Sequence, residues 1–430
     1  MENVQSKSTR KKLSIIVFLC CAGYFVSYIT RKNFGTAIAG IVESTSFTKS
    51  QLGIVETALL ITYGVGQIIS GILADKFKPQ NVVFAGLLLA SVCNAIFPLF
   101  DSIAAFTVIW AINGFGQAMF WPAMVKIIAE YLSPFKYKMA CSHISTASQL
   151  ATVVLYLLVP FVLNSLGYTW VFYIAAIVGA VMSLVWIIAY NSIIKGCEKY
   201  RHEKNCSGEC VTLEKTESQP KVRLAPVMIS CGMITILIGI VLQGCLRDGI
   251  TTWMPSFIAD SGSDNASTAI LKNVLLPAFS IAVTYLGTFI YTKFFKNELK
   301  AATMFFIIAT VLIGALLVLN KFSPEDLSIV KIIVAALAVG LMHCINLALI
   351  SYVPVHFGRY NAVAFLSGLT NAFTYVGSAV STTVTALVAD NFGWNAAVLV
   401  WMGISLCGVL VCALTIRRWG AFIKKEDENL

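Results

Sequence analysis

The sequence predicts an all-α membrane protein with twelve transmembrane helices in two six-helix halves. Composition, apolar runs and the distribution of basic residues each support this fold class. Of the 430 residues, 58% are hydrophobic and only 12% are charged, whereas soluble domains carry about 25% charged residues. Mean hydropathy is +0.80. This composition excludes a soluble enzyme, a secreted disulfide scaffold and a disordered chain.

Apolar runs long enough to span a bilayer, about 20 residues, recur along the chain. The first six cover 13–41, 51–74, 81–100, 103–131, 139–163 and 168–193, and the second six cover 224–258, 268–292, 301–320, 328–357, 362–389 and 394–416. A polar stretch separates the two sets. We therefore predict an N-terminal six-helix bundle at 1–193, a cytoplasmic linker at 194–222 and a C-terminal six-helix bundle at 223–430.

Lysine and arginine separate cleanly between the two sides of this arrangement. Of the 31 basic residues, 23 fall in the termini, the linker and the even-numbered connections, and four fall on the other side. Because basic residues concentrate in cytoplasmic loops, the split supports twelve spans with both termini in the cytoplasm. It also accounts for the net charge of +10 without any nucleic-acid partner.

A short motif after the second span adds a family likeness. Gly71-Ile-Leu-Ala-Asp75-Lys76 resembles the G-x-x-x-D-[RK] loop signature of the major facilitator superfamily, whose two six-helix halves surround a central cavity. The motif is expected to pack a turn against a neighbouring helix and to place Asp75 beside a cytoplasmic base. The corresponding loop of the second half, from Gly287 to Lys293, lacks the acid.

Charged residues within the spans predict an anion site. Arg31 lies on span 1 and Arg247 on the corresponding span 7, and intramembrane charges are usually functional. A planar guanidinium suits phosphate or carboxylate, so a dianion bridging both arginines is the simplest account. The alternative is a structural role in which each arginine pairs with an acid or with carbonyls. Asp248 is expected to be a poor partner for Arg247, since adjacent helix positions point about 100° apart; it could pair with Lys32 instead, which would leave both arginines available to an anion.

Polar residues on several spans are candidates for the cavity lining. Tyr24, Tyr28, Arg31 and Gly35 share one face of span 1, and Gly35 would leave room for a ligand. The other candidates are Tyr63 and Gln67, then Asn113, Gln117 and Trp121, then Ser148 and Gln149, then Gln243, His343 and Asn346, and finally Asn371 and Tyr375. Such hydroxyls and amides suit a polyol or sugar, but interhelical hydrogen bonds are the alternative. Lys126 is expected to pair with Glu130, one turn along.

The first span also carries a more specific signature. Gly23-Tyr24-Phe-Val-Ser-Tyr28-Ile-Thr-Arg31-Lys32-Asn33-Phe34 resembles the first helix of the organophosphate:phosphate antiporters, a family that includes glycerol-3-phosphate and hexose-6-phosphate transporters. The likeness continues at Thr62-Tyr63-Gly64, Gly71 to Asp75, Trp121-Pro122, Leu246 to Ile250, Ser367 to Gly377 and Phe392 to Trp394. It therefore spans nearly the whole chain.

The resemblance implies that Arg31 and Arg247 clamp phosphate and that Lys32 is the family's lysine after the first arginine. Three departures remove charge or titratable groups from the cavity: Gln67 replaces a lysine, Ser148 a histidine and Thr252 an acid. These departures make a different phosphorylated or sulfonated substrate credible.

The predicted function is secondary active transport of a small phosphorylated organic anion, of the glycerol phosphate or sugar phosphate class, in exchange for inorganic phosphate through rocker-switch alternating access. Alternatives are ion-coupled symport of a sulfonate or carboxylate, with His343 as a proton-linked residue, and a transporter-like sensor of sugar phosphate. We expect no enzyme activity, no cofactor and no metal site, a monomer, and a location in the bacterial inner membrane.

Overall fold

The computed structural model of the protein describes residues 7–47, 49–194, 224–261, 272, 274–322 and 327–428. Within these ranges twelve helices are long and apolar enough to cross a membrane, which confirms the predicted count. No strand occurs in the described part of the chain. The chain divides into two compact units, the first made of 1–217 with 357–372 and the second of 218–356 with 373–430. All but one residue of the predicted linker at 194–222 lies outside the described ranges.

The first six spans belong to the first unit. Their helices are α1 (Lys7–Ser44), α2 (Lys49–Lys76), α3 (Pro79–Ile96), α4 (Ile103–Ala118), α5 (Phe120–Tyr131), α6 (Pro134–Leu166) and α7 (Tyr168–Ile194). Together α4 and α5 form one span, interrupted at Met119. The interruption is explained by Pro122, which has no N–H to donate to the carbonyl of Ala118.

The other six spans are also helical, and one of them is interrupted. Their helices are α8 (Leu224–Ser230), α9 (Met233–Ser261), α10 (Leu275–Phe294), α11 (Glu298–Phe322), α12 (Ser328–Asn346), α13 (Val363–Phe392) and α14 (Trp394–Glu428). The span of α12 continues through a π-helical segment, Leu347–Tyr352, to Val355. Pro354 follows this segment and cannot donate the regular helical hydrogen bond to Ile350, which favours the wider turn there.

The two halves each have a glycine with a positive φ angle between their fifth and sixth spans. Gly167 lies between spans 5 and 6, and Gly393 lies between spans 11 and 12; their φ angles are 85° and 79°. Side chains with a Cβ rarely adopt such angles, so glycine fits the turn in both halves. The correspondence supports the internal repeat.

An aromatic core fixes the register of α1 in the first unit. Phe34 packs against Trp110 with ring centroids 5.1 Å apart, and Phe97 stacks on Phe172 at 4.3 Å. All four rings are fully buried. Because Phe34 follows Arg31 by three residues, this core holds the arginine at a defined height along its helix.

Candidate substrate-binding site

Arg31 is a buried charge in the first unit. The residue is only 3% exposed. Its guanidinium carbon lies 4.1 Å from the ring centroid of Tyr63 and 5.5 Å from that of Tyr28. Cation–π contacts of this kind orient a guanidinium plane and offset part of its desolvation cost. Tyr63 comes from α2, so two helices define the position of the arginine.

An aromatic surface continues from this arginine along the same face of α1. Tyr24 and Tyr28 have ring centroids 5.2 Å apart, and Tyr24 lies 5.3 Å from Trp121 of α5. On the other side of Arg31, Gly35 is exposed, and a Cβ added there would meet no atom within 4 Å. The predicted common face and the room beside Gly35 are therefore both present in the first unit.

A polar network fixes the residue directly before Arg31. The carbonyl of Thr30 accepts hydrogen bonds from Asn94 (2.8 Å) and Asn113 (3.1 Å), and its hydroxyl accepts one from Gln117 (2.9 Å). Asn113 and Gln117, expected as possible cavity residues, thus serve as interhelical bonds, the stated alternative. Asn94 was missed by the sequence analysis, because a lone asparagine in an apolar run gives no signal of its partner.

Three other predicted site residues are buried with polar atoms that have no hydrogen-bond partner among the described residues. They are Gln67 and Gln149, in both amide atoms, and Trp121, in its indole N–H. Gln67 is fully buried, and Gln149 is 6% exposed. An unsatisfied buried polar group costs about 1–3 kcal/mol, so such groups are unusual unless they serve function. The amides can donate and accept hydrogen bonds, and the indole N–H can donate one, to a polar solute.

In the second unit the partner of Arg247 corrects a prediction. Arg247 Nε donates to Asp248 Oδ1 at 2.7 Å, and Nη2 donates to Oδ2 at 2.8 Å. The expectation that Asp248 is a poor partner for Arg247 is therefore wrong. The argument considered only the directions of the two Cα–Cβ bonds, whereas the long arginine side chain brings its planar fork to the neighbouring carboxylate.

Close packing of α9 on α13 brings a third polar residue to Arg247 and Asp248. Added Cβ atoms at Gly244 and Gly377 would collide with the backbones of Thr374 and Val241, respectively. Since only glycine permits this backbone approach, the hydroxyl of Ser378 on α13 reaches Oδ2 of Asp248 and donates to it. Arg247, Asp248 and Ser378 thus form a connected polar group.

Span 10 contributes a second polar pair to this unit. Gln243, one turn before Arg247, donates to the carbonyl of Met342 at 3.0 Å, and Asn346 donates to Gln243 at 3.5 Å. Asn346, predicted to contact the substrate, therefore forms a hydrogen bond between helices. His343 lies within electrostatic range of both Arg247 and Asp248.

The remaining predicted residues fall on α1 and α13. Lys32 is half-buried beside Arg31. Asn371 is 7% exposed and belongs to the first unit, whereas Tyr375, one turn later on α13, is half-buried and belongs to the second.

The motif after span 2 forms the contacts that its pattern predicts. Asp75 accepts a hydrogen bond from the backbone N–H of Phe365 at 2.8 Å and pairs with Lys126 at 3.2 Å. A Cβ added to Gly71 would lie 2.6 Å from the carbonyl oxygen of Ala364, while Lys76 is exposed. The predicted pairing of Lys126 with Glu130 is wrong, because the carboxylate and carbonyls at the end of α2 offer a denser set of acceptors.

A buried acid in the second half replaces the one missing from its loop. Glu298, 1% exposed, accepts hydrogen bonds from Tyr291 (2.6 Å) and Trp419 (2.8 Å) and pairs with His356 (3.1 Å). It stands eleven residues after Gly287, too far for the loop signature to reveal it. The second half therefore has its own buried polar cluster.

Comparisons with known proteins agree with this structure. The Major Facilitator Superfamily profile matches residues 20–368. The chain is 26% identical over 427 residues to the glycerol-3-phosphate transporter of Bacillus subtilis (strain 168), covering 95% of this chain and 93% of that protein. A probable hexose phosphate transport protein of Chlamydia trachomatis serovar D is 27% identical over 206 residues, which cover 47% of this chain and 44% of that protein.

A solved structure shows the same fold. The MFS proton:xylose symporter XylE, bound to 6-bromo-6-deoxy-D-glucose, superposes with a TM-score of 0.71 at 13% identity, covering 94% of this chain and 95% of the other. The sequence relatives confirm the predicted resemblance to the organophosphate:phosphate antiporters. With its matched residues and twelve spans, the chain belongs to the major facilitator superfamily and is a multi-pass membrane transporter.

Proposed function

We propose that this transporter carries a small phosphorylated organic anion, of the glycerol phosphate or sugar phosphate class, and exchanges it for inorganic phosphate. One observation carries the proposal: the buried guanidinium of Arg31, oriented over the ring of Tyr63. A charge within a span is costly and usually marks a substrate path. The relatives named for glycerol-3-phosphate and hexose phosphate transport support the phosphorylated class.

Arg31 and Arg247 are proposed to bind the phosphate group, since a guanidinium fork matches two phosphate oxygens. The organic part would meet aromatic and amide side chains. Those proposed to contact the substrate are Lys32, Tyr24, Tyr28, Tyr63, Gln67, Trp121, Gln149, His343, Asn346, Asn371 and Tyr375. Asp75 and Gly71 are proposed to act in gating through their packing contacts.

The exchange follows from charge. Phosphate offsets the buried charge of Arg31, so an occupied carrier has a lower barrier to rocker-switch reorientation between the two faces of the membrane. The empty carrier keeps the charge of Arg31 and reorients slowly. Net uptake without a counter-anion is therefore slow, whereas phosphate inside the vesicle accelerates it.

The orientation is a further part of the proposal. The distribution of basic residues supports cytoplasmic termini, and the organisms of the relatives support a bacterial inner membrane, where we propose a monomer. In a cysteine-replaced background, a membrane-impermeant maleimide added outside cells should label a cysteine at Asp101 and spare one at Lys78. Both positions are exposed, so labelling in the reverse pattern would invert the orientation.

Transport itself is tested in proteoliposomes. We expect uptake of labelled glycerol-3-phosphate or glucose-6-phosphate to be at least about tenfold faster into phosphate-loaded vesicles than into unloaded ones, and to be lost in Arg31→Gln. Arg31→Lys should retain only weak transport, because an ammonium lacks the bidentate fork. Equal rates with and without internal phosphate would refute the exchange.

The matched control removes a cation elsewhere. Lys78 is exposed just before α3, and Lys78→Gln should transport like the unmodified protein. Equal losses in Lys78→Gln and Arg31→Gln would show a general effect of charge and count against a specific anion site.

A further inference from the structure

Asp248 occupies the side of Arg247 that a substrate phosphate would need. Both carboxylate oxygens bind the fork, at 2.7 Å from Nε and 2.8 Å from Nη2. A phosphate presents two oxygens to a guanidinium in the same bidentate manner. Carboxylate and phosphate are therefore alternative ligands for the same pair of donors.

The carboxylate is also held in place from a second helix. Ser378 on α13 donates to Oδ2 of Asp248, and the glycine contact of Gly244 with α13 keeps the two helices close. The side chain of Asp248 is still 30% exposed and that of Arg247 13%. The packed helices therefore leave part of this pair uncovered.

Charge decides what happens when phosphate arrives. The charges of Arg247 and an ionised Asp248 sum to zero, so this pair attracts a dianion poorly. If phosphate takes the guanidinium, the displaced carboxylate stays near a second anion, and like charges at short range favour the protonated acid. Among the described residues, Cys245 on the same helix and His343 on α12 interact electrostatically with Asp248.

We propose that Asp248 is an internal ligand of Arg247 that substrate phosphate displaces, and that its displacement couples phosphate binding to uptake of one proton by Asp248. The inference rests on the proposed phosphate-binding function. A proton from water adds to the carboxylate, the two Arg247–Asp248 hydrogen bonds break, and the guanidinium binds two phosphate oxygens. The protonated acid is neutral and can donate a hydrogen bond.

Calorimetric titration of the purified full chain with inorganic phosphate tests this step. In buffers of different ionisation enthalpy, the unmodified protein should take up close to one proton per phosphate between about pH 8 and 9, where inorganic phosphate is already mostly the dianion and exchanges few protons of its own. Its affinity should fall by up to about tenfold per pH unit, the limit for one linked proton. Asp248→Asn should bind phosphate more tightly, with little proton uptake and little pH dependence.

Three further variants make the result specific. Asp101→Asn removes an exposed acid and should match the unmodified protein. Ser378→Ala removes a support of the carboxylate and should tighten phosphate binding while proton uptake persists. His343→Gln should retain proton uptake; if uptake is lost there but kept in Asp248→Asn, the histidine accepts the proton and the inference is wrong.

Other outcomes separate the two proposals. If phosphate binds the unmodified protein and not Arg31→Gln, while Asp248→Asn equals the unmodified protein in affinity and proton uptake, only the internal-ligand inference fails. Weaker phosphate binding by a folded Asp248→Asn would also overturn it, because Asp248 would then support Arg247 instead of competing for it. If neither phosphate nor glycerol-3-phosphate binds the unmodified protein, the proposed function fails.

Discussion

Tyr291 donates a hydrogen bond of 2.6 Å to the buried carboxylate of Glu298, and it does so from the position that Asp75 holds in the first half. Asp75 follows Gly71 by four residues, and Tyr291 follows Gly287 by four. In the first half this position supplies an acid, which pairs with Lys126. In the second half it supplies a donor, and the acid comes from the start of α11. The repeat thus keeps a buried polar contact at this place while exchanging its chemical roles.

The Glu298 cluster should be important for stability. Glu298→Ala would leave the hydroxyl of Tyr291, the indole of Trp419 and the imidazole of His356 without their hydrogen-bond partner. Each buried polar group left unsatisfied costs about 1–3 kcal/mol, so a large drop in thermal stability is expected. Glu298→Gln retains an acceptor oxygen and should lose less. Asp101→Ala, on the surface, is the control; an equally small change in all three would contradict a structural role for the cluster.

Tyr63 should orient Arg31 through the face of its ring. Tyr63→Leu removes a cation–π contact with a centroid distance of 4.1 Å, which is worth about 2 kcal/mol when desolvated. We expect phosphate affinity to fall by roughly 10- to 30-fold on this basis. Tyr63→Phe keeps the ring and should bind nearly normally. A loss as large in Tyr63→Phe as in Tyr63→Leu, measured by the same titration, would assign the effect to the hydroxyl.

Two glycines on α2 should respond in opposite directions to alanine. A Cβ at Gly71 would lie 2.6 Å from the carbonyl oxygen of Ala364, whereas a Cβ at Gly53 would meet nothing within 4 Å. Gly71→Ala should therefore destabilise by about 1–3 kcal/mol, the usual cost of overpacking. Gly53→Ala should stabilise by about 0.5–1 kcal/mol through helix propensity. Thermal unfolding of both variants measures the difference, and a neutral Gly71→Ala would show that the close helix contact is not required.

The glutamines of the first unit should separate function from stability. Both amide atoms of Gln67 lack a hydrogen-bond partner among the described residues, so Gln67→Leu should raise thermal stability by about 1 kcal/mol while reducing transport. Gln117 donates to Thr30, so Gln117→Leu should lower stability by a similar amount. If Gln67→Leu instead destabilises and transports normally, its amide has a structural role and leaves the proposed site.

Much of the fold could be predicted because a membrane imposes strong local rules. Backbone groups in a bilayer must be satisfied within each segment, so apolar runs become helices, and the basic residues report their direction. The twelve spans follow from these two patterns alone. The contacts of motifs with short spacing could also be predicted. Gly71 and Asp75 are an example, since both lie at the end of one helix.

Partner choice was predicted less well, because it depends on side-chain reach and on helix contacts distant in sequence. The argument from helix geometry placed Asp248 away from Arg247, yet a flexible side chain with several rotatable bonds bridges that divergence. Likewise Lys126 reaches Asp75, 51 positions away, and not Glu130. Local spacing predicts the directions of Cα–Cβ bonds, but it does not predict where the charged group of a long side chain lies.

The sequence by itself determined that this protein is a twelve-span transporter with rare intramembrane arginines, because hydropathy and charge are summed along the chain. Only the tertiary structure decided how those charges are held. It placed Arg31 over Tyr63, fixed Thr30 through Asn94 and closed Arg247 on Asp248. The first two contacts join different helices, and the third depends on the conformation of a long side chain. Their geometry arises only when the helices pack.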